Sequence, residues 1–406
     1  MKMSGKNKQK ILIITPYFYP EDFPINNFTK ELSLHNYEIH ILTGLPNYRK
    51  FGFYENYSFL GPFKEKYEKI NILRVPVIPR FSNHFISIFF FYASFFVSSL
   101  FFILYFALIS RNKFLHVLSF CGSPVYVGFL GTLFAKIANC KSSQWIQDIW
   151  PEALITSLNI KNNNFILKCI DYLQVKMWLS SDILISQSEL LKDYLNDFFK
   201  GKKKIVCVRN PVRERIELIS NLNIEKMNNH KIITYFGNIG HTQNIELFIN
   251  LIKNEKNIIF NICGMGSMLD EFKNKFKNYP NIIFYGWVDK DKMKTIADTT
   301  DFFYLSLKNL GRQNYIFPSK FQTYLNYSKP IIFIGDRKFC SLIEDNSLGY
   351  SLDINKIQNA DYLISKIMNL SIGDKEQFVK NTSRYFNDKF DLKKIINTFR
   401  NEVLNG

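Results

Sequence analysis

The sequence is short of the side-chain groupings on which nucleophilic and metal catalysis usually rest. Its six cysteines, at positions 121, 140, 169, 207, 263 and 340, are scattered, with no C-x-x-C pair and no histidine cluster beside them. This excludes a disulfide framework and a zinc site, and the expectation is buried thiols in a reducing compartment. There is no Walker A sequence, no G-x-S-x-G and no H-E-x-x-H, so nucleophilic and metal chemistry have no obvious home. No G-x-G-x-x-G follows the first apolar run, residues 11–15, which counts against a nicotinamide enzyme. Zinc-finger, recognition-helix and RNA-recognition signatures are absent too, which counts against nucleic acid as a partner. After a basic leader, residues 1–10, the apolar run 11–14 is too short for a signal sequence, so retention in the cytoplasm is expected.

What the chain does have is length, positive charge and one very apolar segment. At 406 residues it exceeds what one hydrophobic core usually supports, and two domains are expected. The net charge of +17 is uneven: residues 1–213 hold 26 basic and 14 acidic side chains, leaving +5 for the remainder. Basic clusters at 2–10, 64–69 and 200–204 suit an anionic membrane leaflet, where each nearby cation contributes about 1 kcal/mol. Residues 81–110 carry no acidic or basic side chain apart from His84, and about 20 apolar residues are enough to cross a bilayer. Strand-like runs at 70–77 and 115–120 flank the segment, however. If both belong to one sheet, the helix returns to that sheet and cannot cross. The expected arrangement is a helix packed on the sheet with its aromatic outer face dipped into the leaflet; a helix wholly inside the core and a true span are the others left open.

Strand and helix patterns alternate through the rest of the chain. Strands are expected at 11–15, 38–43, 70–77, 115–120, 143–147 and 183–186, with helices at 28–34 and 124–138. After a polar stretch at 221–230 a second series begins, with strands at 231–236, 258–263, 282–285, 302–305 and 331–334 and helices at 245–253, 267–276 and 290–297. Such alternation predicts two doubly wound α/β domains with ligands at the carboxyl ends of the strands. One strand end carries Gly237-Asn238-Ile239-Gly240, where glycines let backbone N–H groups approach a ligand. Another, Cys263-Gly264-Met265-Gly266, only partly matches a dinucleotide fingerprint, because Leu269 occupies the place of the third glycine. Further on, Pro318-Ser319-Lys320 opens a short helix that Ser319 can cap, with Phe321, Tyr324 and Leu325 at helical spacing. A lysine beside free helix N–H groups makes an anion site, and phosphate is the expected anion.

Taken with Thr15-Pro16-Tyr17-Phe18-Tyr19-Pro20-Glu21-Asp22, Leu42-Thr43-Gly44-Leu45-Pro46-Asn47-Tyr48, Trp145-Ile146-Gln147-Asp148-Ile149-Trp150-Pro151-Glu152 and Tyr285-Gly286-Trp287-Val288, these segments resemble, from end to end, a retaining GT-B glycosyltransferase of family 4, in the branch for O-antigen, capsule and colanic-acid assembly. The resemblance implies two Rossmann-like domains facing each other across a cleft: an acceptor domain at 1–213, a nucleotide-sugar domain at 214–385 and a final helix, 386–406, returning to the first. It implies a nucleotide-sugar donor, UDP-linked, carrying an N-acetylated hexosamine or deoxyhexosamine. The acceptor would be linked to undecaprenyl diphosphate at the inner face of the plasma membrane. No metal or other cofactor is implied, because helix N-termini and basic side chains take up the pyrophosphate charge.

The residues depart from the family's pattern in places. An arginine and a lysine that usually clasp the pyrophosphate fall at Asn238 and Gln243, and a usual pair of glutamates falls near Ile316 and Thr323. On this resemblance Gly237, Asn238, Gly240, Gln243, Trp287, Val288 and Ser319 line the donor. Lys320 takes the phosphate, Lys308 or Arg312 supplies a second cation, and Gln322 or Thr323 meets the ribose or the acceptor. Asn26 and Asn27 lie in the loop that in relatives reaches the donor phosphate or the acceptor. Asp148, at a strand end, either orients the sugar hydroxyls or accepts the acceptor's proton, or else serves as a helix cap or an ion-pair partner for Arg209. Two other readings share the fold: a nucleotide-sugar 2-epimerase, and a glycosyltransferase-like subunit without activity.

Overall fold

The computed structural model describes residues 8–48, 50–82, 84–158, 165–212, 230–308 and 311–406. The expected domain boundary at 213–214 and most of the polar stretch, 221–229, lie outside the described residues. The chain divides into two compact units, Met1–Arg213 with Asp391–Gly406, and Glu214–Phe390.

The first unit is an eight-stranded sheet. Its strands are β1 (Gln9–Ile14), β2 (Tyr37–Gly44), β3 (Lys64–Tyr67), β4 (Ile70–Val75), β5 (Phe114–Cys121), β6 (Lys141–Ile146), β7 (Ile183–Ser186) and β8 (Lys204–Cys207). They lie in the order β3-β4-β2-β1-β5-β6-β7-β8, all parallel except the β3–β4 pair. The basic cluster at 64–69 supplies β3, which sequence reading missed: an edge strand of charged residues has no alternating apolar signal. The helices are α1 (Pro24–Leu32), α2 (Phe85–Ile109), α3 (Val127–Ala138), α4 (Glu152–Leu158), α5 (Phe165–Ser180) and α6 (Glu189–Phe199). Pro24 at the first helical position starts α1 four residues before the expected Phe28.

The strands on either side of α2 belong to this one sheet, β4 beside β2 and β5 beside β1. Both helix ends are therefore tied to the same body. A stripe of every fourth residue, Ser87, Phe91, Phe95, Ser99, Ile103 and Ala107, is buried, and its apolar members belong to one core with Leu12, Ile14, Leu42 and Phe134 of α3. The opposite face carries Phe89, Phe101, Tyr105 and Leu108 in the open, with Phe101 70% exposed. A helix lying wholly in the core is thereby excluded.

The second unit is a six-stranded parallel sheet of β9 (Lys231–Phe236), β10 (Ile258–Cys263), β11 (Ile282–Gly286), β12 (Phe302–Ser306), β13 (Ile331–Gly335) and β14 (Gly349–Asp353). Its order, β11-β10-β9-β12-β13-β14, is the arrangement of dinucleotide-binding sheets and reverses between β9 and β12. Around it lie α7 (Ile245–Ile252), α8 (Leu269–Lys275), α9 (Lys290–Thr299), α10 (Ser319–Asn326), α11 (Arg337–Asp345), α12 (Ala360–Met368) and α13 (Ile372–Lys389). The expected continuous helix over 386–404 is broken. Phe390 is buried after α13, and Asp391 then caps α14 (Leu392–Thr398) by accepting the Lys394 N–H at 2.9 Å. From α14 and the π-helical turn after it, Ile395, Ile396, Phe399 and Val403 join the core of the first unit, where Phe399 meets the Phe28 ring edge-on at 5.0 Å.

Candidate functional site

In the second unit three strand ends converge where the strand order reverses. The turn after β9 is braced from below: Gly237 N–H donates to Cys263 O at 2.9 Å and Ile239 N–H to Met265 O at 2.8 Å. Two glycines make that close approach possible. A Cβ on Gly264 (φ +148°) would fall 1.8 Å from Gly237 O, and one on Gly266 would fall 2.1 Å from Ile239 O. Gly240 N–H donates to Gln243 Oε1 at 3.2 Å. Among the described residues Asn238 N–H is the amide of this turn left without a partner.

Lys320 lies directly over the turn. A Cβ on Gly237 (φ +139°) would fall 2.2 Å from Lys320 Cε, so a side chain there would displace the lysine from the turn. Its Nζ stands 5.2 Å from the Tyr235 ring centre, and desolvation pulls the ammonium pKa down to about 8. Lys329 is lowered to the same value by the same cause, yet its Nζ donates to Asp298 O at 3.1 Å. Lys320 Nζ has no hydrogen-bond acceptor among the described residues. It sits in the first turn of α10, where backbone N–H groups lack helical partners. A cation, a free turn amide and a helix N-terminus thus gather at the switch point, the combination that receives phosphate.

The other expected donor residues take varied places. Pro318, not Ser319, is the N-cap of α10, and it makes no side-chain cap; Ser319 O instead accepts the Thr323 hydroxyl at 3.2 Å. Gln322 is buried on α10. Gln243 braces the glycine turn from within, and the side chain of Asn238 is exposed. Trp287 follows edge strand β11 and is 72% exposed, with Val288 part-buried beside it. Lys308 is exposed and its N–H donates to Thr242 O at 3.2 Å, while Arg312 lies in the 3-10 turn Gly311–Tyr315. The cysteines are not uniformly buried: Cys169 is exposed.

The carboxyl edge of the first sheet carries a denser set. Asp148 follows β6, and its Oδ2 accepts the Ser123 hydroxyl at 2.9 Å. Asn26 and Asn27 are in the first turn of α1 and not in a loop. Asn26 donates to Glu21 O at 2.7 Å and Asn27 to Val212 O at 3.2 Å, so both hold the chain together. Sequence reading passed over two charged groups here. Glu21 is buried after β1, its Oε1 accepting the N–H groups of Asn47 and Tyr48 at 2.7 and 2.6 Å, and desolvation lifts its pKa to about 7. Arg80 follows β4, with the rings of Tyr17, Tyr48, Phe91 and Tyr92 between 5.3 and 5.6 Å from its guanidinium. An arginine in the short link between an apolar strand and an uncharged helix was the available signal.

Compared with known proteins, residues 221–385 match the family model for glycosyl transferases group 1. No curated protein matches the chain in sequence. Solved structures share the fold along nearly the whole length. Sucrose-phosphate synthase from Thermosynechococcus elongatus superposes with a TM-score of 0.69 at 11% identity, covering 97% of this chain and 98% of its own. WaaG, a glycosyltransferase involved in lipopolysaccharide biosynthesis, gives 0.62 at 10% identity, covering 98% and 100%. An Anabaena protein solved in complex with UDP and glucose gives 0.61 at 10% identity, again covering 98% and 100%. The fold is that of the GT-B glycosyltransferases, with two Rossmann-like units.

Proposed function

We propose that this protein is a retaining, metal-independent glycosyltransferase of family 4. It would move an N-acetylated hexosamine or deoxyhexosamine from a UDP-linked donor to an acceptor on undecaprenyl diphosphate, in O-antigen or capsule assembly. The observation that carries the donor half is Lys320, a desolvated cation without an acceptor among the described residues, laid on Gly237 at the switch point of a sheet that matches the glycosyl transferases group 1 model. The similar Anabaena fold with UDP and glucose supports a uridine donor. Lys320 and the first amides of α10 would stabilise the negative charge gathering on the departing nucleotide phosphate. Asp148, at the strand edge of the first unit, is our choice for the group that orients the acceptor hydroxyl.

The acceptor half rests on α2. Its exposed phenylalanines, together with Phe165, Tyr172 and Leu173 exposed on α5, sit in a half of the chain carrying an excess of +12, a combination suited to an anionic leaflet. We place the protein on the inner face of the plasma membrane, held by one face of α2 and not by a span.

Titration with UDP, GDP and dTDP tests the donor site: UDP is expected to bind saturably, and Lys320→Ala to weaken UDP far more than uridine. Equal losses for both would remove the phosphate assignment. Transfer from UDP-N-acetylglucosamine to a prenyl-diphosphate-linked sugar, with the anomeric configuration read by NMR, then tests reaction and stereochemistry. Release of an epimerised nucleotide sugar without acceptor, or no nucleotide binding by folded protein, would overturn the reading.

A further inference from the structure

Two arginines on strand β4 and the segment after it have opposite surroundings. Arg74 is enclosed: Nε donates to Glu65 at 2.7 Å, Nη1 to Gly44 O at 3.0 Å, and Nη2 to Tyr19 O and Glu65. Every arm of that guanidinium is accounted for. Arg80, six residues on, has no carboxylate within ion-pair distance among the described residues. Its Nη2 donates to the hydroxyls of Tyr17 and, at 3.1 Å, Tyr92. Its Nε is buried without a partner, and Nη1 makes no hydrogen bond among the described residues. The four surrounding rings favour a cation but offer no acceptor matched to its fork of five donors.

The surroundings of Arg80 point toward lipid. Its own N–H donates to Asn47 Oδ1 at 3.3 Å and its carbonyl accepts the Gly52 N–H at 2.9 Å, which fixes it between the loop after β2 and the start of α2. That loop exposes Phe51, Phe59 and Leu60, the last 91% exposed, and α2 opens with Phe85, Ile86 and Phe89 exposed. Tyr92 shares the neighbourhood of Asp148: burial raises its pKa, Arg80 opposes the rise, and the Asp148 carboxylate adds to it.

Resting on the acceptor reading above, we propose that Arg80, with the hydroxyls of Tyr17 and Tyr92, is the binding site for the diphosphate of a prenyl-diphosphate acceptor whose chain stays in the leaflet beside α2. Arginine is the side chain suited to this, because its planar fork meets two phosphate oxygens at once. With the diphosphate held there, the attached sugar lies toward Asp148.

The test uses the full-length detergent-solubilised protein and geranyl diphosphate as a water-soluble probe, with geraniol and inorganic pyrophosphate as comparison ligands. Geranyl diphosphate is expected to bind saturably and more tightly than either. Arg80→Gln should weaken it at least tenfold and Arg80→Lys by less, while UDP affinity and vesicle pelleting stay unchanged. If Arg80→Gln fails to fold by circular dichroism, Tyr92→Phe, which keeps the ring, is expected to lose binding several-fold. Wild-type affinity in the folded Arg80 and Tyr92 variants would overturn the inference. So would a loss caused by Lys320→Ala instead, equal binding of geraniol, or no binding by wild type that still takes up UDP and pellets with vesicles. Loss of UDP binding in every form would sink the transferase reading and leave the Arg80 comparison to stand on its own data.

Discussion

The two units present opposite solutions at the carboxyl edges of their sheets. In the second, the edge is nearly bare backbone: Gly264 and Gly266 lie so close to the backbone of Gly237 and Ile239 that no Cβ fits on them, and one lysine lies over Gly237. In the first, the edge is crowded with side chains, among them Tyr17, Glu21, Tyr48, Arg80, Tyr92 and Asp148. Backbone amides and a helix end recognise a phosphate that is common to many nucleotides. Side chains are needed where one acceptor must be told from others, because specificity rests on shape and on donors placed one by one. On the function proposed above, the difference would suit a generic donor site and a particular acceptor site.

The strongest way to break this contrast is to put a side chain into the bare edge. Gly264→Ala places a methyl 1.8 Å from a backbone oxygen at φ +148°, and we expect a loss of about 3 kcal/mol or more in unfolding free energy, read by urea denaturation. Next comes the lysine itself. Lys320→Met should weaken UDP about 10- to 100-fold, the range for losing one charge-assisted contact. The same change should raise the melting temperature of the unliganded protein by about 2–4 °C, because it removes a desolvated cation. Since the ammonium titrates at about 8, UDP affinity in wild type should fall as pH rises through 8, and this fall should vanish in Lys320→Met.

Smaller effects sharpen the picture of the first unit. Glu21 has its folded pKa lifted from 4.5 to about 7, so between those values the folded state holds a proton that the unfolded state has lost. Stability should therefore decline by about 2–3 kcal/mol as pH rises through that window and level off above it. Glu21→Gln keeps an oxygen for the Asn47 and Tyr48 amides and should flatten the decline in denaturation midpoints measured from pH 4.5 to 8. Last, Phe101→Ser with Leu108→Ser on the outer face of α2 should leave stability nearly unchanged. It should lower pelleting with phosphatidylglycerol vesicles by roughly tenfold, since each fully immersed apolar side chain contributes about 1.5–3 kcal/mol and partial immersion less. Unchanged pelleting would remove α2 from the membrane contact.

Much of the fold was legible because parallel strands buried on both faces write themselves as apolar runs: 231–236 and 258–263 coincide with β9 and β10, and 331–334 with all but the last residue of β13. The misses have local causes. β3 is charged because it lies at an edge, α1 begins early because proline can open a helix, and the last helix breaks because Phe390 is buried and Asp391 caps anew. Of the site, Gly237 and Lys320 were readable as a glycine turn and a lysine at a helix start. Gln243, Ser319, Asn26 and Asn27 were readable as residue types only; their hydrogen bonds turn inward.

The sequence by itself determined the doubly wound sheets, the apolar helix and the lysine at a helix start, because periodicity and local chemistry are carried by neighbouring residues. Tertiary structure alone decided that Lys320 lies on Gly237, 83 positions earlier in the chain, and that Arg80 stands in a cage from three segments with no acid among the described residues to meet it. Whether a charge is satisfied depends on what folding brings within a few ångströms of it, and no spacing along the chain records that.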